Sequence, residues 1–222
     1  MIEKRVTLLC GHYGSGKTNV ALNWAYRLRA KCPRVAVADL DIVNPYFRAM
    51  DSKRDLAERD IRLICSAYAG GNLDIPALPQ DMYAITDDLD MVDVLDIGGD
   101  DRGALVLGRL APALLAEGNY EMWLVVNMYR PLTRTPADCL EVKAEIEAAG
   151  GMPFTGIVNN SNLGRATTPE DVLASLSYAD EIARRTGLPV VMTSVKADLA
   201  DALEDKIENL FALSLQHTVD LG

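Results

Sequence analysis

The chain has 222 residues, 49 % of them apolar and 24 % charged, with a formal net charge of −10 at pH 7. That size and composition suit one α/β domain with a sizeable core and exclude disordered, collagen-like and coiled-coil chains. A sequence isoelectric point near 4.7 leaves no basic surplus for displacing counterions from phosphates, so nucleic acid is not an expected partner.

Short β-branched runs alternate with helical patterns, which predicts βα units around a mainly parallel sheet of about seven strands, in three α/β/α layers. The first strand, 6–10, follows the N-terminus with no leader pattern, and a cytoplasmic location is expected. A helix at 17–31, a strand at 35–39, a helix at 46–59, a strand at 61–65 and a helix at 80–89 follow. Next come a strand at 92–97, a helix at 102–117, a strand at 122–127, a helix at 136–149 and a strand at 155–159. The pattern closes with a helix at 169–186, a strand at 189–193 and a helix at 198–216. In that last helix the apolar residues 199, 203, 207, 210, 211 and 215 form one stripe opposite an acidic face, which predicts packing on the sheet. The longest apolar stretches are strand-sized, well short of the roughly 18 residues a membrane span needs, so no membrane partner is expected. Without repeats or a linker, 1–222 reads as a single domain. Cysteines 10, 32, 65 and 139 form no CxxC pair and read as core thiols in a reducing compartment.

One motif dominates. Gly11-His12-Tyr13-Gly14-Ser15-Gly16-Lys17-Thr18 lies between a predicted strand and a predicted helix, the context a phosphate-binding P-loop requires. Its glycines let backbone N–H groups close around phosphate oxygens, and the helix adds its positive N-terminal end. Lys17 would reach the β- and γ-phosphates, and the Thr18 hydroxyl would ligate Mg²⁺. Carboxylates for the metal's water shell and for the attacking water stand at two strand ends, Asp39-Leu40-Asp41 and Asp96-Ile97-Gly98-Gly99. Asp96 would hold a magnesium-bound water, and a glycine amide beyond it would sense the γ-phosphate. Asp93, earlier in the same strand, reads as a solvated or capping acid, and Asp87, Asp88 and Asp90 as solvated acids.

These residues resemble the MinD/ParA/CobQ-CobB group of P-loop nucleotide-binding proteins, of the SIMIBI class, over nearly the whole chain in element order. The segment 39–48 is most similar to the switch of Mrp-like ATPases. The resemblance implies that Asp39 belongs to the magnesium site, that Asp41 orients the attacking water, and that Asp96 and Gly99 take the Walker B and switch II positions. It also implies a base contact from Asn159 and leaves Asn127 without a defined role. No Asn/Thr-Lys-x-Asp guanine signature is present, so ATP with Mg²⁺ is expected rather than GTP.

The likeness breaks at His12, where family members that dimerise around ATP carry a lysine. Imidazole does not replace a permanent cation, so turnover is expected to be slow, with Arg48 or Arg102 as substitute cations. The reading that follows is a slow Mg-ATPase switch or maturation factor acting on a protein client, with a nucleotide-dependent homodimer as one outcome. Its alternative is an ATP-dependent ligase or kinase of the dethiobiotin synthetase or cobyrinic acid synthase type, with Arg130, Arg134 and Arg165 lining a small-molecule pocket.

Overall fold

The computed structural model describes residues 4–40, 52–65, 80–99 and 101–215, the side chains of 65, 80, 81, 101, 102, 104 and 105 excepted. Strands β1 (Val6–Cys10), β2 (Val35–Leu40), β3 (Arg62–Cys65), β4 (Val92–Ile97), β5 (Tyr120–Val126), β6 (Gly156–Asn159), β7 (Val190–Lys196) and β8 (Leu210–Leu213) form one sheet. Its order is β3-β2-β4-β1-β5-β6-β7-β8, and every neighbouring pair is parallel. The helices are α1 (Lys17–Arg29), α2 (Lys53–Glu58), α3 (Ala84–Asp87), α4 (Asp101–Glu117), α5 (Pro136–Gly150), α6 (Pro169–Ala174) and α7 (Leu176–Thr186). None of the described helices is long and apolar enough to cross a membrane.

Strand alternation sorts the core into two faces. Val6, Leu8 and Cys10 of β1 point into a cluster with Leu107, Leu110 and Leu114 of α4, Cys139 of α5 and Ile182 of α7. Leu9, Val94, Val125 and Val158 point the other way, onto Val20, Trp24, Ala25 and Leu28 of α1. Because both faces are covered, the central strands carry apolar residues on both sides. From β1 the chain crosses to β2 on one side, and from β5 it crosses to β6 on the other. The carboxyl ends of β1 and β5 therefore lie where the connections diverge, the place where open α/β sheets form a ligand crevice.

The eighth strand corrects the expected C-terminal helix. Leu203 and Ile207 are buried against Val172 and Val195, but the stripe then changes period. Phe211 and Leu213 point inward while Ala212 faces solvent, and Phe211 meets the Trp24 ring edge-on at 6.0 Å between centroids. The open edge of β7 supplies a backbone ladder to this segment, which outweighs the helical spacing. Asn23 of α1 ends the new strand, accepting from Ser214 N at 2.9 Å and donating to Ser214 O at 3.0 Å. The helix expected over 169–186 is broken at Ser175, whose hydroxyl donates to Val172 O at 2.7 Å. The segment expected as one helix at 80–89 is a 3-10 turn, Gln80–Tyr83, followed by α3. Of the helix expected over 46–59, the described part is α2, and 46–51 lie outside the described residues.

Candidate functional site

The P-loop joins β1 to α1 as a tight turn, Ser15 N donating to His12 O at 3.2 Å. Gly16 begins α1 in the left-handed region, at φ 84°, and a Cβ there would collide with the Asn160 amide nitrogen. Both conditions restrict the position to glycine. Lys17 is buried, and its ammonium donates back to His12 O at 3.3 Å, so the charge lies against the loop. The Thr18 hydroxyl donates to Asp96 Oδ2 at 2.6 Å with both groups buried. That bond ties the start of α1 to the end of β4 across 78 positions of sequence.

Asp39 of β2 and Asp96 of β4 are directly paired in register, and Asp96 is also paired with Leu9 of β1. Two buried carboxylates therefore stand side by side next to the loop's threonine. Gly99 follows two residues beyond β4, where a Cβ would overlap Gly11 O and press on Tyr13 N. The backbone after β4 thus lies directly on the P-loop. Below them, burial pushes the Cys10 thiol up to about 12, Lys17 opposing and Asp96 assisting the shift, so the loop rests on a neutral thiol. His12 is half-buried and its Nδ1 lies 3.2 Å from Tyr13 O, while Tyr13 is exposed.

Asp41 and Arg48 lie outside the described residues, as does the side chain of Arg102. Arg130, Arg134 and Arg165 are exposed. Asn159, expected at the base, is fully buried; its amide donates to Ser175 Oγ at 2.8 Å and its Oδ1 accepts from Ser161 N at 3.2 Å. Each bond uses one of the amide's two donors or one of its oxygen's two acceptor sites. Asn127 is equally buried, its Oδ1 accepting from Tyr129 N at 3.0 Å and Asn162 N at 3.3 Å, so it joins the loops after β5 and β6. The residue not singled out from sequence is Asn160, which donates to Ser15 O at 2.6 Å and accepts from Ser194 Oγ at 2.6 Å. It pins the P-loop to the end of β7. The Asn159-Asn160 doublet carried the signal, because neighbours in an extended chain face opposite ways.

Asp93 corrects another expectation, since it is buried rather than solvated. At the end of β4 remote from Asp96 it accepts from Arg5 at 2.8 Å. Arg5 also donates to both carboxylate oxygens of Glu117, the last residue of α4, and to the carbonyls of Met91 and Ile85. Burial nevertheless pushes the Asp93 carboxyl up to about 7, against the pull of Arg5. Asp88, by contrast, pairs at the surface with Arg34, which lowers its pKa.

The residues present suit a magnesium–nucleoside triphosphate. The Ser15 hydroxyl is buried without a hydrogen-bond partner on a loop whose other polar groups converge, and an orphaned donor of that kind is one a polar ligand relieves. Thr18, Asp39 and Asp96 supply the hard oxygen ligands and water acceptors that Mg²⁺ requires.

No protein-family model and no curated protein matches the chain. Solved structures do. Cell division protein FtsY from Thermotoga maritima superposes with a TM-score of 0.56 at 19 % identity, covering 86 % of this chain and 61 % of that one. FtsY from Mycoplasma mycoides gives 0.54 at 15 % identity, over 87 % and 61 %. Chloroplast FtsY from Physcomitrella patens gives 0.54 at 16 % identity, over 85 % and 57 %. The fold is that of the P-loop nucleoside triphosphatases. The chain spans about three fifths of the length of these FtsY structures.

Proposed function

We propose that the chain is a slow, Mg²⁺-dependent ATPase that works as a nucleotide switch of the MinD/ParA/CobQ-CobB kind, read by a protein client. The observation that carries this is the bond of the Thr18 hydroxyl to Asp96, with Lys17 buried under the loop and Asp39 in register beside Asp96. A metal held there would neutralise charge on the β- and γ-phosphates and orient them. The chain's own part is to hold the phosphates with backbone N–H groups of 11–18, to place the Lys17 ammonium against them, and to keep Asp39 and Asp96 ready as acceptors. Asp41 is proposed to orient the attacking water, and Gly99 to report the terminal phosphate. ATP is the proposed nucleotide because the sequence lacks a guanine-specifying Asn/Thr-Lys-x-Asp element. His12 in place of a cation underlies the slow rate. The acidic surface favours a protein client over nucleic acid, and a nucleotide-dependent homodimer is part of the proposal.

Equilibrium titration with fluorescent ATP and GTP analogues, with and without Mg²⁺, tests the reading alongside phosphate release. Micromolar binding of ATP that needs Mg²⁺ and is lost in Lys17→Ala is the expected result. Equal ATP binding by Lys17→Ala overturns the site, and tighter GTP binding overturns the choice of nucleotide.

A further inference from the structure

The P-loop lacks its own second cation, and the structure places one beside it from an unexpected element. The turn after β5 is built rigidly. Arg130 N donates to Asn127 O at 3.1 Å, and Thr133 N donates to Arg130 O at 3.2 Å. The Thr133 hydroxyl also donates to Asn127 O, at 2.8 Å. Asn127 is sealed in the interior and braced to the next loop through Asn162. The turn is fixed to the P-loop as well, because β5 pairs with β1 along its length up to Cys10↔Leu124. At Gly11 the loop packs so closely on Val125 O that no Cβ fits between them.

From this turn the Arg130 side chain lies across Gly14. Its Cδ and Nε are 4.0 and 3.9 Å from where a Cβ on Gly14 would stand. The residue is exposed, and among the described residues its guanidinium has no hydrogen-bond or ion-pair partner. An arginine whose stem lies along a phosphate loop, with its fork unpaired among the described residues of a chain of net charge −10, is unusual. Acidic surfaces normally supply a carboxylate to such a group, and a guanidinium presents paired donors that match phosphoryl oxygens. The His12 imidazole lies with its Nδ1 3.2 Å from Tyr13 O of its own loop and presents no such fork.

We infer that Arg130 is a phosphate-contacting residue, supplied in cis by the β5–α5 turn, that holds the bound polyphosphate without replacing the catalytic cation missing at His12. Its guanidinium bonds non-bridging oxygens of the polyphosphate held by the loop. This makes Asn127 a positioning residue, which explains why a buried amide closes that strand. The assignment rests on the nucleotide-binding function proposed above.

The test uses the full chain and compares wild type, Arg130→Ala, Arg130→Lys and Lys17→Ala. Dissociation constants for ATP, ADP and adenosine with Mg²⁺ are measured together with single-turnover phosphate release and urea midpoints. Arg130→Ala is expected to weaken ATP at least tenfold, to leave adenosine unaffected and to keep the wild-type urea midpoint. Arg130→Lys is expected to recover only part of the loss, since a point charge does not reproduce the fork. Wild-type ATP affinity and release rate in Arg130→Ala, with binding lost in Lys17→Ala, overturns the arginine's role while the nucleotide site stands. An absence of ATP binding by the wild-type protein overturns both.

Discussion

Replacing Asp93 by Asn removes a titrating group from the interior while keeping its shape. In the folded chain burial holds the Asp93 carboxyl at about 7, the facing charges being Arg5, which pulls it down, and Glu117 and Asp88, which push it up. In the unfolded chain it returns to an ordinary carboxylate value near 3.8. Between those values the folded state holds a proton that the unfolded state has released. Asp93 therefore contributes stability that is complete below the unfolded value and declines as pH rises through about 7. Integrated from pH 5 to pH 8, the wild type loses about 2 to 3 kcal/mol from this residue alone. The Asn variant does not titrate, and its amide leaves Arg5 paired with Glu117 and two carbonyls. Urea unfolding at pH 5, 6, 7 and 8 reads the difference. The wild-type midpoint is expected to fall relative to Asp93→Asn by about 1 M across that range, with a slope of roughly 2 to 3 kcal/mol/M for a chain of this size. A difference that stays flat from pH 5 to pH 8 refutes the reasoning and shows that Arg5 keeps Asp93 ionised throughout.

Gly99→Ala drives a methyl into Gly11 O, and the backbone must open to admit it. A misplacement of about 1 Å between P-loop and switch costs on the order of 100-fold in turnover, measured as single-turnover phosphate release beside an unchanged circular dichroism spectrum. Asn160→Ala removes the bond to Ser15 O and leaves buried groups at Ser15 and Ser194 without that partner. A loss of about 1 to 3 kcal/mol in urea stability is expected, together with weaker ATP binding that added Mg²⁺ does not restore.

The parts of this protein legible in its sequence are the ones decided over short distances. The P-loop could be read because glycine conformations, the strand before it and the helix after it are all local requirements. Strands β1 to β7 announced themselves by β-branched runs. The carboxylates at Asp39 and Asp96 stood out because an acid at the end of an apolar strand has no packing role. What tertiary structure decided was pairing. The stripe from 199 to 215 satisfies a helix in isolation, and only the open edge of β7 made part of it a strand. Alternation shows that Asp93 faces away from its neighbours, but not that Arg5 waits there across 88 positions. The same limit hid Asn160 under the P-loop and Arg130 over Gly14. Each depends on parallel strands bringing distant residues side by side, and no local periodicity encodes which strands those are.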